Sequence, residues 1–135
     1  MDTNVLMAGL RSKSGASHEL LRLLSLRRWT LVLSNTLLTE YQEILHREQS
    51  FLPYNHKEIE RLLDGFCLRA EKRRLHWRWW PVLPDPDDEA LIHLAAEGRV
   101  EYLVTHNVRH FSPAGRFGVS VLTPAQFLQE LRRRI

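Results

Sequence analysis

Cysteine occurs once in the 135 residues, at Cys67, so neither an intramolecular disulfide nor a multi-cysteine zinc site can be built. Cys67 stands in the apolar helical stretch Ile59, Leu62, Leu63, Phe66, where core filling is its expected role. No apolar run approaches the roughly 18 residues of a membrane span. Nothing resembles a signal peptide, and a cytoplasmic, membrane-free protein is expected. No Gly-x-Gly-x-x-Gly follows an apolar run, which argues against a dinucleotide-binding enzyme. A phosphatase with an aspartyl nucleophile would want a second Asp two positions after Asp2, and Asn4 is there instead. Internal repeats and low-complexity tracts are also missing.

What is present suits one globular domain over residues 1–135. Apolar residues make up 44% and charged residues 26%, enough for a single hydrophobic core without staples. A net charge of +3 and a pI near 9.4 permit a polyanionic partner. The basic residues gather at Arg27-Arg28, Lys72-Arg73-Arg74 and Arg132-Arg133-Arg134, positions that equally suit solvated helix ends. Asp85, Asp87, Asp88 and Glu89 form an acidic knot.

Strand-like and helix-like segments alternate. Val5-Leu6-Met7 is the first apolar run, after an Asp2-Thr3-Asn4 turn signal, and Leu20, Leu21, Leu23 and Leu24 make a helical stripe. Thr30-Leu31-Val32-Leu33 reads as a strand covered on both faces. Ser34 or Asn35 can cap a helix carrying Leu37, Leu38, Tyr41, Ile44 and Leu45, and a second long helix is expected from about His56 to Arg73. Trp77, Trp79, Trp80 and Val82 precede Pro84-Asp85-Pro86, where two prolines exclude an inner strand. Asp87-Asp88 opens a helix ended by Gly98, Tyr102-Leu103-Val104 and Val119-Ser120-Val121-Leu122 are strands, and Thr123-Pro124 caps the last helix. This alternation implies a parallel sheet in an α/β fold, with ligands bound at the carboxyl ends of its strands.

Four polar positions then fall at one edge of such a sheet. Glu40 lies three residues after Leu37 and four before Ile44, so its carboxylate projects from the core-facing stripe unless it snorkels outward or pairs with Arg47. Asp88 is in the first turn of its helix, where an Asp also serves as a cap. Asp2 either frays with the terminus or ends a strand facing the same crevice, and Asn107 follows the strand ending at Thr105. Converging carboxylates demand a proton or a cation. At about 4 Å and an effective dielectric near 20, two unit charges repel by roughly 4 kcal/mol, against a domain stability of about 5–15 kcal/mol.

The phrases Asp2-Thr3-Asn4-Val5-Leu6, Ser34-Asn35-x-x-Leu38-x-Glu40, Asp85-Pro86-x-Asp88, Leu103-Val104-Thr105-His106-Asn107-x-x-His110-Phe111 and Leu122-Thr123-Pro124-x-x-Phe127-Leu128 follow one another as they do in PIN-domain proteins. The chain resembles that family along essentially its whole length, and most resembles the branch of toxin components related to VapC-type toxins. The resemblance implies a three-layer α/β/α domain with a mainly parallel central sheet, binding Mg2+ or Mn2+ and cleaving RNA. It assigns the metal ligands to Asp2, Glu40 and Asp88 and the fourth catalytic position to Asn107. Asn4, Ser34, Asp85, Glu89, Thr105 and His110 are supporting or uncertain positions. An antitoxin protein and a homodimer are the implied partners besides RNA. Two departures stand out: Asn107 is neutral where related nucleases often carry Asp, and only Met1 precedes Asp2 where relatives carry several apolar residues. A weakly catalytic module that binds RNA or protein is the competing reading.

Overall fold

The structure, a computed structural model, describes residues 1–74 and 86–134, without the side chains of Pro86, Asp87 and Glu89. The tryptophan-rich segment and Asp85 therefore lie outside the described residues. Among the described residues six α-helices run in chain order: α1 (Thr3–Arg11), α2 (Ala16–Ser25), α3 (Asn35–Arg47), α4 (His56–Arg69), α5 (Pro86–Glu97) and α6 (Pro124–Arg133). The same residues contain four short strands, β1 (Val32–Leu33), β2 (Glu71–Lys72), β3 (Tyr102–Val104) and β4 (Ser120–Leu122). β1 pairs in parallel with β2, and β3 with β4, so the fold is the expected α/β class with a small sheet.

Local chemistry sets the boundaries. Ser34 caps α3 by accepting from the Leu37 N–H at 3.1 Å. Asn55 and Glu58 form a reciprocal capping box on α4, as do Thr123 and Gln126 on α6, where Pro124 begins the helix. α1 corrects the first expectation: Val5-Leu6-Met7 is helical, because Val5, Leu6, Gly9 and Leu10 bury one helical face while Asp2, extended at φ −64°, ψ 147°, precedes it. The second long helix stops at Arg69, and Lys72 sits in β2. There the backbone bonds Glu71 N–H to Leu31 O and Arg73 N–H to Leu33 O, each 2.8 Å, override the absence of an apolar pattern. Cys67 is half-buried on the flank of α4, while Ile59, Leu63 and Phe66 fill the core.

The two strand pairs are separate two-stranded sheets. Glu101 O and Thr105 N–H bond to β4, so by the period of two the groups of Tyr102 and Val104 point the other way. On β1, Leu31 and Leu33 face β2, which turns Thr30 and Val32 the other way. A cavity of about 520 Å3 lies between β1 and β3, with Leu91 and Leu94 of α5 on one side and Leu23 and Phe127 of α2 and α6 on the other. Trp29 braces this region by packing edge-on against Phe127, ring centroids 5.4 Å apart, with its indole N–H donated to Leu20 O at 2.8 Å. No helix among the described residues is long and apolar enough to cross a membrane.

Candidate metal centre at the carboxyl ends of the strands

Ser34 directly follows β1 and Thr105 directly follows β3, so these two residues mark the carboxyl ends of those strands. Asp2 joins them because its N–H donates to Val104 O at 2.9 Å, in the direction that β3 leaves unused by β4. Thr105 is fully buried, donates its hydroxyl to Asp2 Oδ2 at 2.6 Å, and accepts the Asn107 N–H at 3.0 Å. One residue after Asp2, buried Thr3 donates its hydroxyl to Glu40 Oε2 at 2.7 Å. Two threonines thus hold two carboxylates from widely separated parts of the chain.

The surroundings of this pair are buried. Tyr41, on α3 beside Glu40, is fully enclosed and donates its hydroxyl to the Met1 carbonyl. Burial, and then the negative charges of Asp2 and Glu40, push its phenol well above the ordinary value, so it remains a neutral donor. One phenol feeling both charges means that the two carboxylates share a neighbourhood. The Met1 amine is enclosed although the residue as a whole is half-buried; burial lowers its pKa from 8.0 to about 6, against an opposing pull from Asp2.

A cleft of about 400 Å3 opens between α3 and α5, lined by Ser34, Thr39, Glu40, Glu43, Ala90 and Leu91 among others. Asp88 is half-buried in the first turn of α5, two residues before Ala90. The larger cavity between β1 and β3 is lined by Glu71, Glu101 and Glu130 together with Arg28, Arg99 and Arg134, and by none of Asp2, Glu40 and Asp88, so size alone does not mark the chemistry here. Asn107 and His110 are exposed, the first entering the 3-10 segment Val108–Phe117, with its carbonyl accepting the His110 N–H at 3.0 Å. Asn4 lies in the first turn of α1, and its Oδ1 is buried with no hydrogen-bond partner among the described residues. Ser34 is spent as a helix cap. The side chain of Glu89, like Asp85, lies outside the described residues.

Two further residues of this candidate site carry weaker sequence signals. Thr3 was read only as turn-forming, although its hydroxyl reaches Glu40. Glu43 lines the cleft three residues after Glu40, and the Glu40-x-x-Glu43 spacing already put both on one helix face.

Parallel strands under helices, with acidic side chains at the strand ends, define a nuclease-like α/β domain. A family profile described as PIN domain matches residues 1–109, and the chain belongs to the PIN-domain family. Members are generally nucleases and usually bind divalent metal ions. No curated protein and no solved structure gave a significant match.

Proposed function

We propose that this chain is a Mg2+- or Mn2+-dependent endoribonuclease, with Asp2, Glu40 and Asp88 as metal ligands and Asn107 as a neutral fourth position. The observation that carries the reading is the pair of hydroxyl clamps, Thr105 on Asp2 and Thr3 on Glu40. A carboxylate anchored through one oxygen is oriented before any ion arrives, as ligands of metal sites are. The donor set fits the ion: it is all oxygen, which suits hard Mg2+ or Mn2+. The buried orphan Oδ1 of Asn4, two residues from Asp2, adds an oxygen acceptor that a metal-bound water can satisfy.

The bound ion would supply a nucleophilic hydroxide and charge stabilisation on the phosphate. The chain's own residues do the rest. Thr105 and Thr3 fix the carboxylate rotamers, and Tyr41 stays neutral beside them and adds no further negative charge. Asn107 offers an amide without adding a further negative charge, which eases the approach of a polyanion. Exposed Arg27, Lys72 and Arg132 neutralise backbone phosphate outside the acidic centre, so affinity should fall with salt. Asp85, Glu89 and His110 remain supporting positions in this reading.

We further propose that the domain acts as the toxin of a toxin-antitoxin pair, as a cytoplasmic homodimer whose antitoxin covers the cleft between α3 and α5. The test is cleavage of varied RNAs by purified protein with Mg2+ or Mn2+, against chelator and against Asp88→Asn. Cleavage that survives both controls unchanged would remove the metal-carboxylate mechanism. RNA bound but never cut would favour the binding module.

A further inference from the structure

We propose that His46, His56 and Glu60 form a second metal site, selective for a transition ion such as Zn2+, Ni2+ or Co2+, which staples the end of α3 to the start of α4. One donor atom from each of the three residues lies within 4.8 Å of the others. His46 is in the last turn of α3 and His56 is the first residue of α4. Glu60 follows His56 by one turn, so both present their donors on one face of the helix. The capping box fixes that start: Glu58 N–H donates to Asn55 Oδ1 at 2.9 Å and Asn55 N–H to Glu58 Oε1 at 3.0 Å.

His46 Nε2 and Glu60 Oε1 are 2.5 Å apart, and the two imidazole rings stack with centroids 4.5 Å apart and planes 29° from parallel. His46 is half-buried and its Nδ1 has no hydrogen-bond partner among the described residues, so Nε2, which faces Glu60, is the ring nitrogen placed to serve as a donor to the ion.

Two imidazoles and one carboxylate, with solvent in the fourth position, are a familiar open tetrahedral donor set. For bond lengths near 2.1 Å, a tetrahedral ion spaces its donors by about 3.4 Å. The observed separations of 2.5 to 4.8 Å bracket that figure, and exposed His56 is free to swing inward. The ion would replace the hydrogen bond between His46 Nε2 and Glu60 with a bond to each of them, the neutral imidazole keeping its one N–H on the other ring nitrogen. Imidazole nitrogen favours borderline-soft ions, while Mg2+ prefers oxygen. The site would therefore not compete with the carboxylate centre for its ion. Occupancy closes the loop between α3 and α4.

The test uses the full chain carrying Glu40→Gln and Asp88→Asn, which disables the acidic centre, and titrates it with Co2+ while following visible absorption. The expected result is a four- or five-coordinate cobalt spectrum that persists in this background, is undiminished by excess Mg2+, and disappears on adding His56→Gln. Glu60→Gln should weaken binding by at least about tenfold, the lower end of what losing even an outer partner costs a metal site. Zn2+ should also raise Tm in the parent and not in the His56→Gln chain. Cobalt affinity unchanged by His56→Gln, or a spectrum already abolished by the acidic-centre substitutions alone, would overturn the proposal.

Discussion

Thr105→Val removes one oxygen atom from a fully buried position, and the structure allows its effect to be worked through. The hydroxyl donates to a carboxylate at 2.6 Å and accepts a backbone N–H at 3.0 Å. A hydrogen bond to a charged group contributes about 1.5–3 kcal/mol, and a neutral one about 0.5–1.5 kcal/mol. Asn107 is exposed, so its N–H recovers water and the second loss falls at the low end. Valine keeps the branched shape and opens no large cavity. The net cost is therefore about 2–3 kcal/mol. Unfolding entropy near 2.1 cal/mol/K per residue gives roughly 0.28 kcal/mol/K for this chain, so Tm should drop by about 7–11 °C.

Calorimetry of Thr105→Val, Asp2→Asn and the double variant tests the cause. Removing the carboxylate charge first should shrink the cost of Thr105→Val by about 1 kcal/mol or more, because the two residues interact directly. Under the proposed function, the rise in Tm produced by Mn2+ should also shrink, reflecting an affinity loss of about 10- to 100-fold. Thr105→Ser, which keeps the hydroxyl, should retain most of both. A Tm for Thr105→Val within about 2 °C of the parent, where the entropy scaling requires a larger shift, or equal costs in both backgrounds, would refute the reasoning.

Three further outcomes are expected. Gly9→Ala gains about 1 kcal/mol of helix propensity, but its Cβ would lie 2.6 Å from Leu21 Cδ1 and 2.8 Å from the Ser17 carbonyl. Overpacking of about 1–3 kcal/mol should win because a backbone oxygen cannot retreat cheaply, and urea unfolding at or above parental stability would contradict it. Ser34→Ala should cost about 1 kcal/mol by leaving the Leu37 N–H uncapped, with Ser34→Asp restoring most of it in the same melts. In the 135-residue chain, the Met1 amine has a folded pKa of about 6 against an ordinary 8.0. The unfolded chain therefore binds the extra proton between those values, and stability is full above pH 8 and falls as pH drops to 6. The loss is roughly 2–3 kcal/mol. An acetylated N-terminus, which cannot titrate, should lack this component of the slope; identical slopes would exclude it.

Legibility in the sequence followed burial. β3 and the last helix were readable because Tyr102-Leu103-Val104 is an apolar run that buries Leu103 and Val104, and Thr123-Pro124 is a strong start signal; β4 was readable from Val119-Ser120-Val121-Leu122, in which Val119 is buried. Glu40 was readable because helical spacing put a charge on a core-facing stripe. β2 was not: Glu71 and Lys72 are both exposed, and only backbone bonds to Leu31 and Leu33 make them a strand. α1 hid behind a turn-like opening, although Val5, Leu6, Gly9 and Leu10 carry the helical period. The hydroxyl clamps had no sequence signal, since a bond from Thr3 to Glu40 exists only once two distant segments have met.

The cavity between β1 and β3 leaves a seam between the two strand pairs, and the acidic pair straddles it. Asp2 and Thr105 hang from the β3–β4 half, while Ser34 and Glu40 belong to the β1–β2 half. The hydrogen bond from Thr3 to Glu40 is a stitch across that seam. The spacing of the two carboxylates is consequently a mechanical property of how the halves abut, changed by sliding one pair past the other before any side chain turns. A substitution that fills or widens the cavity from behind, at Leu94 or Leu23, would thereby retune the front of the molecule without touching it.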